Sequence, residues 1–144
     1  MPLIAAFDWL RAHRQPVPAK VFLGVVAELG SLNGPDVVAA YGDGSIRFIS
    51  ERETLASFGP GSPKITRKAQ ELLSRSRGLL AHLDPWKEPR VPAAPFGIIR
   101  ITFLTSDGIY FGDGEARSMA RDKFGGETVR TAVQLLRLGY EASK

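Results

Sequence analysis

The sequence predicts an α+β fold: a single domain over residues 1–144 with one five-stranded antiparallel sheet, helices packed mainly on one face, and the order α-βββ-α-ββ-α. Three observations lead there. Runs rich in β-branched and aromatic residues fall into a group of three and a later group of two. Connections within each group are only a few residues long, which suits antiparallel neighbours and leaves no room for parallel crossovers. Between the groups lies a long stretch of helical periodicity, in a chain of 144 residues that is 44% hydrophobic and 24% charged, enough to bury one core.

Leu3, Ile4, Phe7 and Leu10 recur at helical spacing, and Pro16 and Pro18 close the segment, so residues 3–14 are predicted as a short amphipathic helix with Trp9 at the edge of its apolar stripe. Val21 to Leu29 is almost wholly apolar and reads as a well-buried strand. SLNGPD, residues 31–36, reads as a turn. Val37 to Tyr41 and Ile46 to Ser50 bracket Gly42-Asp43-Gly44, a tight hairpin whose Asp-Gly pair readily takes positive φ. Residues 58–63 form a loop, Ser62 caps a helix, and Ile65, Ala69, Leu72, Ser76, Leu79, Leu80 and Leu83 share one stripe of it, from about Pro63 to Leu83. DPWKEPRVPAAPFG then runs as a proline-rich connector in which Trp86 is expected to fold back on the core. Ile99, Ile101 and Phe103 alternate with Arg100, Thr102 and Leu104, Ser106-Asp107-Gly108 turns the chain, and Ile109 to Phe111 returns it. A second Gly-Asp-Gly, Gly112 to Gly114, is expected to leave the sheet. Val129, Ala132, Val133, Leu136 and Tyr140 share a face of a last helix, Glu127 to Tyr140.

Charge and motif narrow the chemistry. Of a net +4, all is carried between Lys64 and Arg90, which hold seven bases against three acids; the remainder has twelve of each. With no cysteine, disulfides and thiolate chemistry are out of reach. The N-terminal residues do not resemble a secretory signal, and the longest apolar run, Val21 to Ala27, is far short of the roughly 20 residues of a spanning helix, so a cytoplasmic protein without membrane association is expected. Neither Gly-Asp-Gly copy is followed by Gly-Lys-Ser/Thr or by the ligand spacing of a calcium loop, and Gly-x-Ser-x-Gly does not occur. Asp113 and Glu115 near Asp107 read as solvated acids, and His13 and His82 each end a predicted helix, where the dipole favours an imidazolium. No cofactor and no metal are expected.

The stretch FLGVVAELGSLNGPDVVAAYGDGSIRFIS, with the later ITFLTSDGIYFGDG, resembles an uncharacterised family of small bacterial proteins that carry a valine-rich strand, an Ala-Tyr-x-Asp-Gly hairpin and a later aromatic-Gly-x-Gly. The element order also resembles that of the bacterial secretion chaperones, and that resemblance implies a dimer that binds extended segments of other proteins. The expected function is therefore a non-enzymatic protein-binding or assembly module, a homodimer or one with a protein partner, contacting it through Phe22, Tyr41, Arg47, Phe48 and Tyr110, several of them residue types enriched in interface cores. Alternation separates Arg47 and Ile49 from Ile46 and Phe48. The alternative is a nucleic-acid-binding protein using Lys64, Arg67, Lys68 and Arg75 on one helix face, with Glu71 inside the stripe. A third class, a small-ligand sensor or enzyme, requires a pocket lined by several of His13, Tyr41, His82, Asp113 and Arg117.

Overall fold

The computed structural model describes residues 9–10, 12–14, 21–31, 34–49, 55–58, 63–80, 94–106, 108–123 and 125–142. Its strands are β1 (Phe22–Ser31), β2 (Gly34–Tyr41), β3 (Ile46–Ile49), β4 (Leu55–Phe58), β5 (Ile98–Thr105) and β6 (Gly108–Glu115). Its helices are α1 (Pro63–Leu80), α2 (Ala116–Ala120) and α3 (Gly126–Ala142). Every neighbouring strand pair is antiparallel, in the order β4-β3-β2-β1-β5-β6. The α+β class and the single open sheet stand as expected, and the five anticipated strands gain a short sixth, β4, at the edge beyond β3.

Val25 and Ala27 sit mid-way along the central strand and are wholly buried. Because side chains alternate across a strand, register extends their face into rows across the sheet. One row is Ile46, Ala40, Val25, Phe103 and Tyr110; the next is Phe48, Val38, Ala27, Ile101 and Gly112. Helix α1 packs on β1 and β2, α3 on β2, and α2 on β5 and β6. Ile65, Ala69, Leu72 and Leu80 of α1 meet Val129, Ala132, Leu135 and Leu136 of α3 over these rows, forming one core. Of the expected stripes, Ile65, Ala69, Leu72, Ser76 and Leu80 on α1 and Val129, Ala132 and Leu136 on α3 are buried.

Three expectations change. The β1–β2 turn is shorter than residues 31–36, because Ser31 already pairs with Gly34 and the strand takes in Pro35 and Asp36. Strand β6 does not end at Phe111; Gly112, Asp113 and Gly114 continue it, paired with Ile101, Arg100 and Ile99. Phe58 lies in a strand, paired with Ile46, rather than in the loop. Of the first predicted helix, Trp9, Leu10 and Ala12 are helical and His13 N–H donates to Trp9 O at 3.1 Å; the residues before Trp9, with Ser62, Leu83, Trp86 and the connector as far as residue 93, lie outside the described residues. Trp9 is exposed and stacks on the His13 ring, with centroids 4.0 Å apart.

Helix α3 approaches the sheet closely at one point. A Cβ added to Gly139 would lie 2.0 to 2.5 Å from three ring atoms of Phe48, so the ring occupies the place a side chain would take. At an open helical site Gly→Ala stabilises by about 1 kcal/mol. Here Gly139→Ala is expected to destabilise by about 1–3 kcal/mol, since the ring or the helix must shift, and the loss should shrink in a Phe48→Leu background. Urea denaturation of the two single variants and the double variant measures both effects.

Candidate functional site

The two Gly-Asp-Gly copies serve different ends. In the first, Asp43 Oδ1 accepts hydrogen bonds from Ser45 N–H (2.9 Å) and Ser45 Oγ (2.6 Å), while Gly44 takes φ 93° and its N–H donates to Tyr41 O. This is a turn stapled by its own aspartate, and the Ser45 hydroxyl holds the Asp43 carboxyl below the usual carboxylate range. In the second copy the backbone is extended, so Asp113 points to the face away from the helices while Gly112 and Gly114 point towards them.

On the outer face the row Ile49, Val37, Glu28, Arg100 and Asp113 crosses five strands. Arg100 is only 8% exposed. Its Nε donates to Asp113 Oδ2 at 3.3 Å, a terminal nitrogen lies 3.7 Å from Glu28 Oε2, and its guanidinium carbon is 5.7 Å from the Phe111 ring centre. Glu28 also accepts the Ala94 N–H, which ties the chain just before β5 to this face. Asp113 is thus exposed, as expected of a solvated acid, and it also pairs with Arg100. Asp107 lies outside the described residues, and no group of three or more metal-ligating side chains occurs among the described ones.

On the helix side, the glycines open a cavity of about 470 Å³ between β5–β6 and the helices. Leu79, Ile101, Phe103, Met119 and Val129 form its apolar wall; Ser118 and Thr128 supply hydroxyls; Asp113, Glu115 and Asp122 border it. Gly114 has one close neighbour, the flexible Met119 side chain, whose Sδ would stand 2.9 Å from an added Cβ. Gly112 has none of this kind. Its φ is not positive, and an added Cβ would meet nothing within 4 Å. Sequence reasoning missed this cavity, although the alternation of Tyr110, Gly112 and Gly114 on one side of a strand was a usable signal.

The residues singled out from sequence are dispersed. Tyr110, 1% exposed, and Phe48, 7% exposed, end up inside the core, because the helices cover the face they share; as partner-contacting residues both are corrected. Phe22 packs against the core beneath Arg77, whose guanidinium carbon is 5.6 Å from its ring centre. Tyr41 and Arg47 remain on the outer face, half-buried and exposed respectively. Of the five residues named for a ligand pocket, the cavity lining includes Asp113 but not His13, Tyr41 or Arg117, and His82 lies outside the described residues.

The basic stripe on α1 is engaged with α3. Lys68 Nζ donates to Glu71 Oε2 and to Gln134 Oε1, both at 2.9 Å; Arg75 donates to Glu71 Oε1 at 3.3 Å and pairs with Glu127. The Lys68 hydrogen bond, then Arg75, holds the Glu71 carboxyl below its usual range. Lys64 and Arg67 are exposed. A phosphate-binding surface would have to recruit Lys68 and Arg75 away from these partners.

Removing Arg100 would leave Glu28 little exposed and without its cation. Arg100→Ala is expected to cost about 3 kcal/mol, as for other broken buried pairs. Asp113→Asn, at a more exposed carboxylate, should cost under about 1 kcal/mol. Chemical denaturation of both variants checks the ratio. No model of a known protein family matches the chain, and neither do any curated protein or solved structure; the resemblances drawn from sequence rest on the residues quoted for them.

Proposed function

We propose that the protein is a non-enzymatic binding module whose site is the cavity between β5–β6 and helices α2 and α3. The observation that carries this reading is Gly112. A glycine within a strand forfeits about 0.5–1 kcal/mol relative to alanine and is usually explained by a positive φ or a close backbone approach. Neither applies to Gly112, and what the missing side chain leaves behind is space. A volume of about 470 Å³ falls within the 300–1,000 Å³ of small-molecule pockets, and the mostly apolar wall with a few polar groups at its border matches their make-up. The lining contains carboxylates and hydroxyls but no imidazole, amine or thiol, which favours holding a guest over transforming it.

The reading is tested by Gly112→Val. A valine suits the strand and enters open space, so the variant should fold and gain up to about 1 kcal/mol of stability. Its fluorescence titration with the neutral apolar probe N-phenyl-1-naphthylamine should show binding weakened at least about tenfold from the parent protein, or 1.4 kcal/mol. Equal affinity in the two proteins would remove the cavity as the site.

A second reading, a protein-binding or assembly module that includes a homodimer, is favoured by the outer face. Ile49 is 46% exposed beside Arg47, Ile109 is exposed on β6, and among the described residues no helix packs on that side. Tyr41 and Arg47 are the two expected contact residues that this face still offers. Light scattering at several hundred micromolar should then report a dimer that Ile49→Lys disperses, and a monomeric parent protein would discard the homodimer.

A further inference from the structure

Resting on the cavity reading, we infer that the guest is an uncharged apolar molecule, bound with its body against Ile101, Phe103 and Val129 over Gly112. Each acid of the lining is already engaged elsewhere or stands in solvent. Asp113 faces the other side of the sheet and pairs with Arg100. Asp122 Oδ2 accepts the Gly125 N–H at 2.7 Å at the start of α3, so the positive end of that helix already has its anion. Glu115, the last residue of β6, is exposed.

An anionic guest would thus meet the Glu115 and Asp122 carboxylates and no lysine, arginine or histidine in the lining, and the N-terminus of α3 beside it already has its anion. A cationic guest would find Glu115 and Asp122 only at the exposed border, where an ion pair gains little, while sinking its ammonium among the apolar side chains leaves a desolvated charge without a partner. A neutral guest incurs neither penalty. Where it carries a polar atom, that atom suits the Ser118 and Thr128 hydroxyls, each able to donate and to accept.

Displacement of N-phenyl-1-naphthylamine by three molecules of matched length, 1-decanol, decanoate and decylammonium, decides the matter when run at neutral pH below their aggregation limits. The alcohol is expected to displace the probe at a concentration about tenfold lower than decanoate, 1.4 kcal/mol, and no higher than decylammonium. Decanoate equalling the alcohol, or decylammonium surpassing it, would overturn the uncharged class and leave the cavity as the site. A probe that binds the parent protein and Gly112→Val alike, with none of the three competing, would take down the cavity reading itself.

Discussion

The register between β1 and β5 is the constraint on which the rest depends. Every other strand pair joins sequence neighbours, whereas this one links the four-stranded first part of the chain to the later hairpin across the whole of α1. Opposing Val25 with Phe103 and Ala27 with Ile101 makes the inner rows continuous from β3 to β6. A slip of one residue would exchange the faces of β5 and β6 relative to β1. Arg100 would then enter the core and Ile99, Ile101 and Phe103 would face away from the helices. Glu28, held opposite Arg100 in the observed register, penalises the slip a second time, since its carboxylate would lose its cation. The ion pair therefore contributes more to choosing the register than to the net stability of the chosen one.

That register also decides where the core ends. The row that begins at Phe48 is filled through Val38, Ala27 and Ile101 and then reaches Gly112, where nothing projects. The neighbouring row closes on Tyr110, which is buried. Helix α2 stands over the end of β6, with Met119 in the notch above Gly114, so the emptiness left by Gly112 is a half-open recess walled by β5, β6 and the helices. Filling the row with a β-branched residue would extend a core that already has the right shape for it. An open void at that place forgoes packing the rest of the molecule is built to supply.

Much of this was legible in the sequence wherever one local signal agreed with its surroundings. The alternation of Ile99, Ile101 and Phe103 against Arg100, Thr102 and Leu104 survives in the two faces of β5, although Arg100 is buried too, the Asp43 hairpin turns as its residues require, and the apolar stripe of α1 is the face it buries. What escaped was settled by partners. LASF is too short to declare itself a strand and is one only because β3 offers an edge. Gly112 and Gly114 read as strand breakers, yet Ile101 and Ile99 hold them in the sheet. Alternation separates Phe48 from Arg47 correctly, but which side the helices cover depends on the path of α1 and α3, and so sequence alone assigns Phe48 and Tyr110 to a surface when they belong to the core. The basic stripe was visible; that Gln134 and Glu127 would meet it from α3 was not.

The same three residues, Gly-Asp-Gly, thus do unlike work because backbone conformation sets what they can reach. In the turn, folding brings the Asp43 carboxylate back to the N–H two residues on, and glycine is there for its positive φ. In the strand, a period of two sends Asp113 to one face and both glycines to the other. The single acid completes the charged row that secures the register, and the glycines on the reverse open the space beside the helices. Strand identity of residues 112–114 is therefore the common requirement of the outer ion pair and the inner cavity. A change that pulled these residues out of pairing with β5 would lose the charge lock and the cavity together, although the two never share a face.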